Sequence, residues 1–140
     1  MSEFRILIVE DEAIIAKNIA VHLTNGDFMV SGIAYDDEEA LQQLQQNPPD
    51  AVLLDINLGS PVDGINIAEY IRRECLIPFV FLTSHADKDT LERAKKVEPW
   101  GYVVKPFNEK TLQATLEIAI YNFTQRSRQQ APIINFQKIN

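Results

Sequence analysis

The sequence predicts an α/β domain, a doubly wound five-stranded parallel sheet with helices on both faces. Three observations predict it. Apolar runs and helix-period segments alternate five times along the chain. The strongest runs, "FRILIV", "AVLLD" and "PFVFLT", are nearly continuously apolar, as strands covered on both faces must be. The 140 residues suit one such domain. A chain of that size buries about 68–70% of its unfolded surface and needs no disulfide or structural metal to fold. Strands alternating with helices pair in parallel through right-handed crossovers.

The elements follow in order. "FRILIV" (Phe4–Val9) is the first strand. The helix after it carries Ile15, Ile19 and Leu23 at i, i+4 and i+8, with Gly26 as its stop. "FMVSGIA" (Phe28–Ala34) is a weaker strand. "DDEEALQQLQQN" opens on a capping-box pattern, Asp36 with Glu39, and ends before Pro48-Pro49. "AVLLD" (Ala51–Asp55) is the third strand, and "GINIAEYIRRE" then sets Ile67 and Ile71 on one helical face. "PFVFLT" (Pro78–Thr83) precedes "DKDTLERAKKV", where Asp87 or Asp89 is the candidate cap. "GYVV" (Gly101–Val104) is the second weak strand. The last helix is expected from about Asn108 to Gln129, with Leu112, Leu116, Ala119 and Phe123 on one stripe. The expected domain is 1–128, including that extended helix, with 129–140 a short C-terminal tail. No effector domain is expected after it, so output would pass through another protein.

Composition narrows the function classes. The net charge of −7 and the scattered Lys and Arg argue against direct nucleic-acid binding, which needs gathered basic residues. No start resembles a secretory leader, and no apolar run approaches the roughly 18 residues of a membrane span. The single cysteine, Cys75, cannot form an internal bridge, so a cytoplasmic location is expected. No GxxxxGK[ST] phosphate loop is present, which disfavours a nucleotide-hydrolysing switch.

The chemistry lies where the strands end. In open α/β sheets ligands bind outside the carboxyl ends of the strands, where strand order reverses. Here the first strand ends on Glu10-Asp11, the third on Asp55, the fourth on Thr83-Ser84 and the fifth on Lys105. Singly, these residues read equally well as helix-start acids, caps or turns. Together they make a hard-oxygen set that suits Mg²⁺, which typically binds one or two carboxylates and keeps waters. An aspartate beside such a cation can act as a nucleophile toward phosphorus, with Lys105 and a hydroxyl stabilising the transferred group.

These residues resemble a known family. "ILIVEDE", "AVLLDINL", "DGI", "FLTSHAD" and "GYVVKPF" are similar to the motifs of the response-regulator receiver domain of two-component signalling, over roughly Phe4 to Phe123. The resemblance implies a CheY-like, flavodoxin-like strand order of 2-1-3-4-5. It implies that Asp55 is the phosphoacceptor, served by a sensor histidine kinase or a phosphotransfer protein. Asp11 would bind Mg²⁺ directly, Glu10 would hold it through water, and the backbone carbonyl of Asn57 would be a further ligand alongside Asp55. Lys105 and Thr83 would contact the phosphoryl group. Thr83 and Tyr102 would form the switch, while Asn57 and His85 would tune dephosphorylation.

Two departures stand out: Glu10 replaces the commoner Asp, and "DINLGSPVDG" carries one extra residue before Gly64. Ser84 is small and leaves access to Asp55. His22 is expected as a surface residue, and Trp100 as a packed loop aromatic. A second apolar line on the last helix, Ala114, Ile118 and Tyr121, suggests a homodimer through the fourth and fifth helices and fifth strand. The alternative is a broader core contact with a tail whose Ile133, Ile134 and Phe136 fold back. Other functions remain in view: a phosphorelay intermediate or phosphate sink, a phosphate-independent interaction module, and a phosphatase of the haloacid dehalogenase type. The last needs a second Asp two residues after the first strand's Asp, whereas Asp11 is followed by Glu12-Ala13.

Overall fold

Ten elements alternate along the described residues: β1 (Phe4–Val9), α1 (Ala13–Thr24), β2 (Phe28–Ala34), α2 (Asp37–Gln46), β3 (Ala51–Asp55), α3 (Gly64–Glu74), β4 (Phe79–Thr83), α4 (Lys88–Lys96), β5 (Gly101–Val104) and α5 (Glu109–Ile139). The computed structural model describes residues 4–59, 63–84 and 88–139, with side chains to residue 127. The five strands form one sheet in the order β2-β1-β3-β4-β5, and every neighbouring pair is parallel. The order reverses between β1 and β3, so a crevice is expected at the carboxyl ends of those two strands.

Strand alternation divides the core in two. Leu7, Val9, Val52, Leu54 and Phe81 face α2 and α3, where Ala40, Leu44, Ile67, Ala68 and Ile71 complete one cluster. Ile6, Ile8, Leu53, Val80, Leu82 and Val103 face α1 and α5, meeting Ala16, Ile19, Leu23, Leu112 and Leu116. Each large aliphatic side chain taken out of water in this way contributes about 1.5–3 kcal/mol. β1, β3 and β4 are interior strands with apolar side chains on both faces, which explains their unbroken hydrophobicity. β2 and β5 lie at the edges and are only partly buried.

The helix starts follow local chemistry. Asp36 caps α2 by accepting the Glu39 N–H at 2.8 Å. The Glu39 carboxylate returns one residue further out than the sequence suggested, accepting from the Tyr35 N–H at 2.7 Å. Asp63 and Asn66 form a full reciprocal capping box at α3. Asn108 caps α5 through the Thr111 N–H at 2.8 Å. Of the two candidate caps for α4, Asp87 lies outside the described residues and Asp89 sits within the helix's first turn.

The end of α5 corrects the expectation. The helix passes Gln129 and runs to Ile139, 31 residues in all, so the stretch expected as a tail continues it. No glycine follows Gly101 to cap it, and Pro132 withholds one backbone donor without ending it. The side chains of Ile133, Ile134 and Phe136 lie outside the described residues. Trp100 is packed as expected, edge-on to Phe123 at 5.3 Å with the Arg126 guanidinium 4.8 Å from its ring centre. Among the described residues, no helix is long and apolar enough to cross a membrane.

Candidate functional site

Parallel topology brings four strand ends together. Glu10 continues the ladder beyond β1 through its N–H to the Ala34 carbonyl at 3.0 Å, and Ile56 does the same beyond β3 to Leu82 at 3.0 Å. The Lys105 N–H bonds the Thr83 carbonyl at 2.7 Å, tying the end of β5 to the end of β4. The Lys105–Pro106 peptide is cis. These backbone bonds set Glu10, Asp55, Thr83 and Lys105 around one depression, with Glu10 (0%), Asp55 (3%) and Thr83 (3%) almost wholly withdrawn from solvent.

Lys105 joins the two buried acids. Its Nζ lies 2.8 Å from Glu10 Oε1 and 2.8 Å from Asp55 Oδ2. The other oxygens are also engaged: Asp55 Oδ1 accepts the Asn57 N–H at 2.9 Å, and Glu10 Oε2 accepts the Glu12 N–H at 3.2 Å. Asp11 is exposed beside them, and carboxylate oxygens of Glu10, Asp11 and Asp55 lie within 4.8 Å of one another.

Among the described residues the charges do not balance, since three carboxylates face one ammonium. Burial is the main force on Glu10 and pushes it up to about 7, opposed by its bond to Lys105 and reinforced by the nearby Asp55 charge. Burial also works against the Lys105 ammonium. Its bonds to Asp55 and Glu10 prevail, and it titrates above an ordinary lysine.

This donor set fits a hard divalent cation. Its ligand atoms are all carboxylate oxygens, the group is short of positive charge, and Asp11 stands at the open side. A further polar atom awaits a partner here, because Thr83 Oγ1 is buried and makes no hydrogen bond among the described residues. Tyr102 packs on the Phe81 ring at 6.1 Å, and its hydroxyl is likewise buried without a hydrogen bond among the described residues. Burial moves its phenol above the usual value.

Two glycines shape the depression: Gly59, which the sequence argument did not single out, and Gly64, which it named only as the end of the "DINLGSPVDG" stretch. Gly59 adopts a φ of +67°, where a Cβ would be strained and would stand 3.2 Å from Asp11 Oδ2. Gly64 opens α3 directly against the Asp55 carbonyl. The positive-φ glycine had no sequence signal. Gly64 could have been read from Asp63 as an N-cap before the apolar period of α3. Arg93, which reaches Asp63 from α4 at 3.0 Å, was also missed, since nothing in a sequence marks a contact 30 residues apart.

The remaining expected residues stand as follows. Asn57 enters the site through its backbone N–H, and Ser84 is exposed beside Thr83. His85 lies outside the described residues. His22 does not join the site: its Nδ1 is 3.0 Å from Glu109 Oε1, linking α1 to the start of α5.

Comparison with known proteins gives the family and the fold. Residues 6–117 match the family model described as the response regulator receiver domain. The transcriptional regulatory protein PdtaR of Mycobacterium tuberculosis is 34% identical over 119 residues, 85% of this chain and 58% of its own length. The chain therefore spans little more than half of that curated relative. The signal receiver domain of a modulated diguanylate cyclase from Desulfovibrio desulfuricans superposes with a TM-score of 0.84 at 34% identity, covering 89% of this chain and 99% of the other. NtrX from Brucella abortus gives 0.83 at 26% identity, over 92% of this chain and 29% of that protein.

Proposed function

The chain belongs to the response-regulator receiver domain family, and on that premise we propose that Asp55 accepts a phosphoryl group from a phosphohistidine of a sensor kinase or phosphotransfer protein. An Asp55 carboxylate oxygen forms the new bond to phosphorus. The histidine N–P bond breaks, leaving its electron pair on the imidazole nitrogen. Asp11, Asp55 and the Asn57 carbonyl are the proposed direct ligands of Mg²⁺, with Glu10 acting through water. When bound, the cation would supply positive charge against the transferring phosphoryl oxygens.

The protein's own groups do the rest. Lys105, already 2.8 Å from Asp55, keeps a cation on the carboxylate and can follow the charge onto the phosphoryl group. Ser84 leaves the approach open. Thr83 carries the reading: its hydroxyl is buried at the carboxyl edge of the sheet with no partner among the described residues. An unsatisfied buried hydroxyl costs about 1–3 kcal/mol, and a phosphoryl oxygen on Asp55 would satisfy it. Movement of Thr83, with Tyr102 following, is the proposed switch. The reading is of a cytoplasmic signalling switch that promotes its own phosphorylation and dephosphorylation, rather than an enzyme with a separate substrate.

Incubation with acetyl phosphate tests the chemistry. One phosphoryl addition by intact mass is expected with Mg²⁺ and none with chelator. Asp55→Asn should abolish it, and an unchanged addition in that variant would refute the assignment.

The proposed output surface is α4, β5 and α5, where Leu91, Val104, Ile118 and Tyr121 are exposed. Pairing of two copies there predicts a rise in sedimentation coefficient on adding beryllofluoride with Mg²⁺. A monomer in both conditions would leave this surface to a different protein.

A further inference from the structure

α4 is lightly anchored in the fold. Of its nine residues only Ala94 is buried, and Leu91 remains 37% exposed. An ion pair reaches it from the start of α3: Arg93 Nη1 lies 3.0 Å from Asp63 Oδ2, and Nη2 3.5 Å from Oδ1.

Asp63 is held independently of that pair. Its Oδ1 accepts the Ile65 N–H at 3.0 Å and the Asn66 N–H at 3.2 Å, while its own N–H donates to Asn66 Oδ1 at 3.2 Å. The next residue, Gly64, donates its N–H to the Ile56 carbonyl at 2.8 Å. Asp63 is thus fixed to the backbone beside Asp55 whether or not Arg93 is present. What the ion pair fixes is α4.

We propose that Arg93 is a positioning residue for the switch, holding α4 in the arrangement in which the Thr83 hydroxyl has no partner. The proposal rests on the reading of Asp55 as the phosphoacceptor. α4 begins five residues after Thr83, so movement of Thr83 toward a phosphoryl group on Asp55 pulls at the start of that helix. Asp63 stays with Asp55, and a shift of α4 must therefore stretch or break its contact with Arg93. The pair favours the resting arrangement, and phosphorylation works against it.

Linkage fixes what loss of the pair should do. The factor by which the pair favours one arrangement is the factor by which its removal tightens a ligand selective for the other. The Arg93 and Asp63 side chains are 51% and 23% exposed. Partly exposed pairs of this kind bias an equilibrium by a factor of about 1.4 to 5.

The test measures beryllofluoride affinity in the presence of Mg²⁺ for the full chain, its Arg93→Gln variant and its Arg93→Lys variant. Hydrogen exchange of the α4 amides is followed without beryllofluoride. Arg93→Gln should bind beryllofluoride about 1.4- to 5-fold more tightly and exchange its α4 amides faster. Arg93→Lys should return most of the way to wild type. Added salt should narrow the difference between wild type and Arg93→Gln, because screening weakens a pair only wild type has. Unchanged or weaker beryllofluoride binding in Arg93→Gln, with only a lowered Tm, overturns the proposal and leaves the pair a structural contact. A wild-type protein that takes no beryllofluoride overturns the reading of Asp55 and the coupling with it. Exchange of α4 then still reports whether the pair holds the helix.

Discussion

Replacing Gly64 by alanine is expected to cost about 3 kcal/mol and lower Tm by about 10 °C. A Cβ at this position would stand 2.0 Å from the Asp55 carbonyl oxygen, 2.9 Å from its carbonyl carbon and 2.9 Å from Ile56 Cα. All three are backbone atoms at the end of β3, so no side chain can turn aside to make room. Either α3 moves outward or Asp55 does. The first opens the packing of Ile65, Ile67 and Ile71, and the second displaces the proposed phosphoacceptor. Gly26 makes a useful control, because the three atoms nearest an added Cβ there all belong to the flexible Gln113 side chain, the closest at 3.0 Å. Gly26→Ala should stay within about 1 kcal/mol of wild type. Thermal unfolding checks both, and a Gly64→Ala protein melting with wild type would contradict the packing.

Lys105→Met is expected to destabilise the metal-free protein by about 3 kcal/mol at pH 8. The thioether fills much of the same space but leaves the buried Glu10 and Asp55 carboxylates facing Asp11 with no ammonium among them. The loss should depend on pH. Burial already raises Glu10 to about 7, and without Lys105 it rises further. Below that value the folded variant carries Glu10 neutral, and less charge is left unpaired. The stability gap from wild type should therefore be smaller at pH 5.5 than at pH 8. Adding Mg²⁺ at pH 8 should recover part of the loss, since binding to the folded state alone stabilises it. Chemical denaturation at the two pH values measures each effect. A gap that is equal at both would mean that Glu10 does not carry the repulsion.

How far the sequence could be read follows from how far each feature is local. The interior strands were legible because burial on both faces demands continuous apolar runs, as in Ile6–Val9 and Leu53–Leu54. Glu10, Asp55, Thr83 and Lys105 were legible as a group because each follows the last apolar residue of a strand, and parallel strands end at one edge. The distances among them were not. That Lys105 spans Glu10 and Asp55, and that Glu10 is wholly buried, depends on the register of four strands, β1, β3, β4 and β5. Gly59 was hidden because only backbone geometry reveals a positive φ. The end of α5 was misjudged for a different reason: after Gly101 the chain offers no glycine stop, and Pro132 alone does not terminate the helix. The Arg93–Asp63 pair joins α4 to the cap of α3 across 30 residues, beyond any local pattern.

The central claim is that Asp55, among three clustered carboxylates, carries the phosphoryl group. Borohydride reduction of acetyl phosphate-treated protein converts an aspartyl phosphate to homoserine, and peptide mass spectrometry locates it. The account predicts homoserine at position 55 in the Mg²⁺-treated sample alone. A reduced residue at Asp11 or Glu10, with position 55 still aspartate, would contradict it.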